Sequence, residues 1–190
     1  MGDTTLVLAS RSPQRSEILG QLGIPFDVRP ADVPELAQGD PVAVAAANAR
    51  RKALAVERAP HETVIGVDTL VTLDGEIFGK PADAGAAAAT LTRLVGRTHT
   101  VISGISVVHD RRPEGEPVDE NAVAETAVTF RPLDAAQVAA YVATGEWEGR
   151  AGGYAIQLRG GALVRQIEGD YLNVVGLPVA TLLDLLPDLL

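Results

Sequence analysis

The chain contains no cysteine among its 190 residues, which excludes disulfides, thiolate metal sites and cysteine nucleophiles. The same absence favours a cytoplasmic protein, because disulfides are typical of secreted chains. Histidine is also scarce: His61, His99 and His109 lie far apart without metal-ligand spacing, so a histidine-based zinc site is not expected. No apolar run approaches about 18 residues, and the start MGDTTLVLAS lacks the segments of a signal peptide. We therefore expect neither a membrane span nor a leader.

Aromatic residues make up 4% of the chain, which is too few for stacking along single-stranded nucleic acid. The net charge of −9 argues against general binding of polyanions such as nucleic acids. A small phosphate-bearing ligand is compatible with this charge, because the cations next to a ligand matter more than the sum over the chain. No linker, repeat or low-complexity segment divides the sequence, so we expect one domain over residues 1–190.

Short apolar runs alternate with helical patterns, which predicts an α/β fold. Residues 6–10 are typical of a first strand, and Ser12-Pro13 is typical of a capped helix start, with Gly23 near the helix end. Further strands are expected after Ile24, at 98–110 and 122–133, and in YAIQ, ALVRQI and YLNVVG. Further helices are expected at 41–59, 82–95, 135–144 and from Pro178, with a proline-broken hairpin loop at 110–121.

The stretch 64–81, VIGVDTLVTLDGEIFGKP, combines a buried strand with polar chemistry. VIGV is apolar and β-branched, Asp68 and Thr69 interrupt it, and the turn at Asp74-Gly75 predicts a hairpin. A carboxylate at the end of a core strand is costly to bury alone, so Asp68 is expected to face a cleft. Lys80 follows the return strand and can reach the same place. An acid with a lysine indicates an anionic ligand, a metal or both; an ordinary hairpin with a solvated turn is the alternative.

Two other segments carry candidate groups. The first strand ends in Ser10 and leads into a helix start with Ser12 and Arg15, which is an anion site in outline but not a P-loop. A capped helix with an exposed arginine is the alternative. Arg50, Arg51 and Lys52 sit together on the alanine-rich helix, and a solvated basic face is the default interpretation of that cluster.

The candidate groups taken together suit a triphosphate with a hard divalent ion, because Mg²⁺ prefers one or two carboxylates with phosphate oxygens and water. No G-x-S-x-G segment indicates acyl transfer, and no H-R-D or D-F-G segment indicates a protein kinase. The candidates are Ser10, Ser12, Arg15, Glu35, Lys52, Asp68, Thr69, Lys80 and Gln157.

Five segments, LASRSPQRSEIL, VDTLV, GKP, AGGYAIQ and IEGDYLNVVGLP, resemble the Maf family of nucleoside triphosphate pyrophosphatases in order and spacing. The resemblance covers nearly the whole chain. It implies hydrolysis between the α and β phosphates, giving the monophosphate and pyrophosphate. It also implies a two-lobed α/β fold, like that of inosine triphosphatases, around a long mixed sheet with flanking helices and a central cleft, and usually a homodimer.

The resemblance also implies a role for each matching residue. Asp68 would be the general base that activates water, and Glu35 would help Asp68 to hold a divalent metal, Mg²⁺ or Mn²⁺. The remaining roles are phosphate binding by Arg15, Lys52 and Lys80, with Ser10 and Ser12 at the helix start, and base recognition by Thr69 and Gln157. Lys80 is counted with Asp68 and Glu35 among the catalytic residues.

The Asp68-Thr69 pair resembles the branch of the family that acts on dTTP and UTP. Gln14 departs from that branch, which mostly has arginine there, at a position linked to substrate choice. A neutral amide lacks the charge-assisted contacts of arginine, so the preferred base is open. A second hypothesis is a nucleotide-binding regulator of cell division that acts without turnover. The intact Asp68, Glu35 and Lys80 favour the enzyme, because a binder needs no base.

Overall fold

A computed structural model describes residues 5–110 and 117–190. The strands in these ranges are β1 (Thr5–Leu8), β2 (Phe26–Val28), β3 (Glu62–Leu73), β4 (Glu76–Phe78), β5 (Thr98–Asp110), β6 (Pro117–Phe130) and β7 (Val164–Glu168). The α-helices are α1 (Pro13–Gln21), α2 (Pro41–Ala55), α3 (Ala84–Leu94), α4 (Ala135–Val142), α5 (Tyr171–Val175) and α6 (Val179–Leu185). All seven strands form one mixed sheet with helices against it, so the predicted α/β fold is confirmed.

The sheet has the order β2-β1-β3-β5-β6-β7, with β4 added beside β3. β2 and β3 pair in parallel with β1, and the other pairs are antiparallel. β1 and β4 share one edge of β3: β1 pairs as far as Ile65 and β4 pairs from Val71. Within residues 5–110 and 117–190, nothing pairs with residues 66–70 on that edge, although β5 pairs with them on the other. The sheet is therefore notched at Asp68 and Thr69.

This pairing corrects one expectation about Asp68. The sequence places the carboxylate at the end of a strand, but β3 runs through Asp68 and Thr69 as far as Leu73. β5 keeps the strand extended here, with Asp68 opposite Gly104 and Thr69 opposite Ser103. The polar pair is exposed to a cleft because a neighbouring strand is missing, not because its own strand ends.

Helix α2 lies close against β3 and β5 because glycine faces alanine at the contact. A Cβ on Gly66 would lie 2.2 Å from the carbonyl oxygen of Ala49, and one on Gly104 would lie 2.3 Å from that of Ala45. Such distances are impossible for real atoms, so both positions require glycine. The close approach brings the polar side chains of α2 within reach of the notch.

Some element predictions need correction. The segment YLNVVG is helix α5 rather than a strand, because the Asp170 side chain accepts a hydrogen bond from the Leu172 N–H at 2.8 Å and caps a helix. YAIQ forms turns and not a strand, whereas ALVRQI contains β7. Helix α2 ends at Ala55, four residues before the predicted end.

The hairpin between β5 and β6 is longer than predicted, because β6 begins at Pro117 and its register with β5 extends to the pair Asp110–Pro117. The predicted loop thus overlaps both strands, and its middle, 111–116, lies outside the described residues. Across the described part of the chain, no helix combines the length and hydropathy needed to cross a membrane. The single domain over 1–190 stays a prediction.

Candidate active site

A cleft of about 670 Å³ opens at the notch in the sheet. The loop after β2, the start of α1, helix α2 and the segment around residues 149–157 form its walls. All ten side chains that the sequence nominates line this one cleft: Ser10, Ser12, Gln14, Arg15, Glu35, Lys52, Asp68, Thr69, Lys80 and Gln157. The sequence-distant candidates are therefore neighbours in space.

Asp68 lies on the α2 side of the sheet and is 8% exposed. Its Oδ1 atom accepts a hydrogen bond from Lys52 Nζ at 2.6 Å, and its Oδ2 atom accepts one from Asn48 Nδ2 at 3.0 Å. Lys52 Nζ also lies 2.6 Å from Glu35 Oε1. One ammonium group therefore bridges the two carboxylates that the sequence assigns to catalysis and metal binding. Partners on both oxygens fix the plane of the Asp68 carboxylate.

The basic cluster on α2 is not the uniform solvated face that its default interpretation predicts. The Lys52 side chain is 11% exposed, because the two carboxylates attract its ammonium into the cleft. Arg50 pairs with Asp119 on the surface, and Arg51 donates to the carbonyl oxygen of Pro34 at 3.2 Å. The default interpretation is thus wrong for Lys52, which points in a different direction from its neighbours.

Arg15 is buried, which contradicts the alternative of an exposed helix arginine. Its Nε donates to the Gly176 carbonyl oxygen at 2.8 Å, its Nη1 to Ser10 Oγ at 2.8 Å and its Nη2 to Thr69 Oγ1 at 3.2 Å. Burial lowers the pKa of Arg15 to about 10, although Asp68 and Glu35 oppose that shift. The guanidinium stays charged at neutral pH and holds two cleft hydroxyls in place.

Helix α1 begins where the sequence predicts, but the Ser12 side chain does not cap it. Ser12 occupies the capping position and precedes Pro13, but its side chain makes no capping hydrogen bond. Its hydroxyl donates instead to Gln14 Oε1 at 3.0 Å. The Ser12 N–H donates to Ser10 Oγ at 3.2 Å. The Ser12 hydroxyl therefore holds the Gln14 side chain, and the Ser12 backbone N–H holds the Ser10 hydroxyl, beside the cleft.

The opposite wall carries two cations, Lys80 and Arg150, that have no carboxylate partner in the part of the chain that the structure describes. The Gly152 N–H donates to the Gly79 carbonyl oxygen at 3.1 Å, which joins the segment of Lys80 to that of Arg150. Gly152 has a φ of +69°, and a Cβ there would lie 2.7 Å from Val71, so the turn requires glycine. Among the described residues, neither Lys80 nor Arg150 has an ion pair, and the buried Arg150 Nε has no acceptor.

Sequence reasoning did not nominate several groups that line the cleft, among them Asn48 and Arg11. Asn48 lies four residues before Lys52, a spacing that places both side chains on one face of a helix. This spacing to a nominated residue was the signal that could have identified Asn48. Arg11 stands between Ser10 and Ser12. Its position between two nominated residues was its only signal.

Two carboxylates of the cleft approach the same ammonium group. Glu35 Oε1 and Asp68 Oδ1 both lie 2.6 Å from one nitrogen, so these oxygens converge. Among the described residues, no group of three or more histidine, cysteine, aspartate or glutamate side chains is arranged to hold a metal. The two carboxylates alone match the donor set of an ion such as Mg²⁺, which takes one or two carboxylates and completes its shell with phosphate oxygens and water.

The comparisons with a family model and with individual known proteins agree with each other. Residues 5–189 match the family model described as Maf-like protein. A protein of Moorella thermoacetica named dTTP/UTP pyrophosphatase is 49% identical over 185 residues, covering 95% of this chain and 93% of the relative. Proteins with the same name from Anaeromyxobacter sp. (strain Fw109-5) and Gloeobacter violaceus are 49% and 45% identical, covering 95% and 96% of this chain and 87% and 95% of the relatives.

Proposed function

This chain belongs to the Maf family, and on that premise we propose that it hydrolyses nucleoside triphosphates at the bond between the α and β phosphates, with dTTP and UTP as its substrates. The names of the relatives support this substrate class. The observation that best supports the chemistry is the Lys52 ammonium, which lies 2.6 Å from both Asp68 and Glu35 inside the cleft. A pocket that only binds nucleotides needs no such held carboxylate.

We assign the general base to Asp68. Lys52 and Asn48 hold its two oxygens, so that its remaining lone pairs face the cleft in a fixed direction. Water would transfer a proton to Asp68 while its oxygen bonds to phosphorus and the α–β phosphoanhydride bond breaks. The hydroxyl that remains of the water stays on the phosphorus attacked, the electron pair of the broken bond leaves on the departing phosphate oxygen, and Asp68 then releases its proton to solvent. The products are the monophosphate and pyrophosphate.

Cations of the cleft would stabilise the charge that develops on the phosphates. Lys80 has no competing carboxylate among the described residues and is the cation best placed to neutralise the leaving pyrophosphate. Lys52 would offset charge beside the base. Arg15 would act partly through Ser10, whose Oγ it holds at 2.8 Å, and Ser12 adds a further hydroxyl.

Glu35 and Asp68 would hold the divalent cation, Mg²⁺ or Mn²⁺, together with phosphate oxygens. When bound, the cation supplies positive charge that neutralises the polyphosphate. The base would be recognised by Gln157 and Thr69, with Gln14 as a third group that influences the preference. A homodimer and a cytoplasmic location complete the proposal.

Asp68→Asn tests the assignment of the base. It removes the proton acceptor but keeps the shape, so we expect kcat to fall by about 10³-fold while the affinity for dTTP is retained or increased, because a negative charge has left the cleft. Release of pyrophosphate measures kcat, and calorimetric titration with dTTP measures binding. Asp110→Asn is the matched control, since that carboxylate pairs with Arg58 away from the cleft.

Full activity in Asp68→Asn would remove Asp68 from the mechanism. Binding of dTTP without turnover by the unaltered protein, in the presence of Mg²⁺ or Mn²⁺, would favour the regulator of cell division instead. Size-exclusion chromatography with light scattering tests the homodimer.

A further inference from the structure

Asn48 is a buried polar residue to which the proposed mechanism gives no chemical step. It is 2% exposed and belongs to helix α2. Its Oδ1 accepts a hydrogen bond from the Leu36 N–H at 2.8 Å, and its Nδ2 donates to the Leu36 carbonyl oxygen at 3.0 Å and to Asp68 Oδ2 at 3.0 Å. Both amide hydrogens are therefore donated, one to the Leu36 carbonyl oxygen and one to the Asp68 carboxylate.

The contact with Leu36 fixes a segment that has no regular secondary structure of its own. Residues 29–40 connect β2 to α2 without helix or strand, and Glu35 is the residue before Leu36. Asn48 pairs with both backbone groups of Leu36, as a neighbouring strand would do. Anchoring Leu36 at two points therefore limits where the Glu35 carboxylate can lie.

Two other α2 side chains reach the same loop. Arg51 donates to the Pro34 carbonyl oxygen, and Lys52 pairs with Glu35. Arg51 and Lys52 follow Asn48 by three and four residues, so each of the two side chains is a neighbour of Asn48 on the helix surface. Arg51 differs from the other two in having no contact with Asp68, which makes it a natural control for loop anchoring alone.

The contact with Asp68 completes the fixation of that carboxylate. Lys52 holds Oδ1 and Asn48 holds Oδ2, so rotation of the carboxylate would break one of the two hydrogen bonds. A misplacement of about 1 Å in a reacting group can cost about 10²-fold in rate. We propose that Asn48 is a positioning residue: its single amide holds the Asp68 carboxylate and the Glu35 loop in one arrangement. This inference rests on the function proposed above.

Asn48→Leu tests the role, because leucine has a similar volume and forms none of the three hydrogen bonds. We expect kcat for pyrophosphate release from dTTP to fall about 30-fold or more, with KM changed by less than about threefold, since the lost interaction orients the base rather than binding the substrate. Arg51→Met loosens the same loop and should leave kcat within about twofold. Hydrogen exchange at the Leu36 amide should accelerate in Asn48→Leu.

A double-mutant cycle separates positioning from general stabilisation. In the Asp68→Asn background, Asn48→Leu should cost less than about threefold in the residual kcat, because the group it positions is gone. Asn48→Ala, which also loses the three hydrogen bonds and adds no charge beside Asp68, replaces the leucine variant if that one does not fold.

Three results would overturn the inference. They are an unchanged kcat in a folded Asn48 variant, an equal loss in Arg51→Met, or an undiminished loss in the Asp68→Asn background. The unaltered protein is measured in the same assay: if it released no pyrophosphate, the proposed function would fall and the positioning role with it. If it turns over and the Asn48 variants do too, the positioning role alone is wrong.

Discussion

Two concavities of similar size border helix α2, one along its length and one at its C-terminal end, and they differ in how their charges are paired. The cleft of about 670 Å³ contains Asn48 and Lys52 in its lining, and a second concavity of about 540 Å³ contains Ala55 and Val56. Both contain arginines. Size and the presence of cations therefore do not distinguish a binding site from an ordinary surface depression in this protein.

In the second concavity the arginines are already satisfied. Arg29 makes a two-pronged pair with Glu62, and Arg58 makes one with Asp110 at 2.6 and 2.8 Å. The hydrogen bond to Arg29 lowers the pKa of Glu62 to about 2, so the pair stays charged on both sides at neutral pH. A phosphate would have to displace these carboxylates before it could bind.

In the cleft, by contrast, the positively charged side chains outnumber the carboxylates. Its lining contains three carboxylates, Asp32, Glu35 and Asp68, and five cations, Arg11, Arg15, Lys52, Lys80 and Arg150. Within the described residues, Arg11, Lys80 and Arg150 have no carboxylate partner. A chain with a net charge of −9 thus keeps a local excess of positive charge at one place, which is what attracts a polyphosphate.

We expect the largest difference in kcat/KM when one cation is removed from each concavity. Lys80→Met should lower kcat/KM for dTTP by about 10²-fold or more, because an unpaired ammonium that stabilises developing charge is lost. Arg58→Met removes a cation that is already neutralised. It should leave kcat/KM within about twofold and lower the free energy of unfolding by about 1 kcal/mol.

Steady-state kinetics and urea unfolding measure both variants of this pair. A loss of activity in Arg58→Met as large as that in Lys80→Met would break the comparison. In that case the pairing of charges would not determine which concavity binds the substrate.

A smaller effect is expected when a cation is added to the cleft. Gln14→Arg adds a charge beside Ser12 and should change the ratio of kcat/KM between dTTP, UTP and other triphosphates by about tenfold, because arginine makes charge-assisted contacts that the amide lacks. The turnover mechanism should not change. A substrate panel measured with both proteins checks this, and an unaltered ranking would remove Gln14 from base selection.

The sequence predicts the hairpin of β3 and β4 and the extent of β5 because their signals are local. VIGV is β-branched, Asp74-Gly75 forms the turn, and β5 ends at Asp110 as expected. It also nominates ten side chains that prove to line one cleft. Most of these residues lie in the short motifs that carry the family resemblance, whereas Glu35 and Lys52 lie outside those motifs.

What the sequence does not predict depends on partners that are distant along the chain. Asp68 lies within β3 rather than at its end because β5 pairs across it, and Lys52 turns inward because Asp68 and Glu35 attract it. The residues next to Asn48 in the sequence do not indicate that its side chain contacts both Leu36 and Asp68. The prediction for helix α5 is wrong for another reason. Its apolar residues favour a strand, but the Asp170 side chain caps a helix there.

Identification of the first products from dTTP tests the central claim most directly. The unaltered protein is incubated with dTTP or UTP and Mg²⁺ or Mn²⁺, and pyrophosphate, orthophosphate and the nucleotides are quantified over the first turnovers. We expect monophosphate and pyrophosphate in equal amounts without orthophosphate. Release of orthophosphate with the diphosphate would contradict cleavage between the α and β phosphates, and with it the chemistry assigned to the cleft.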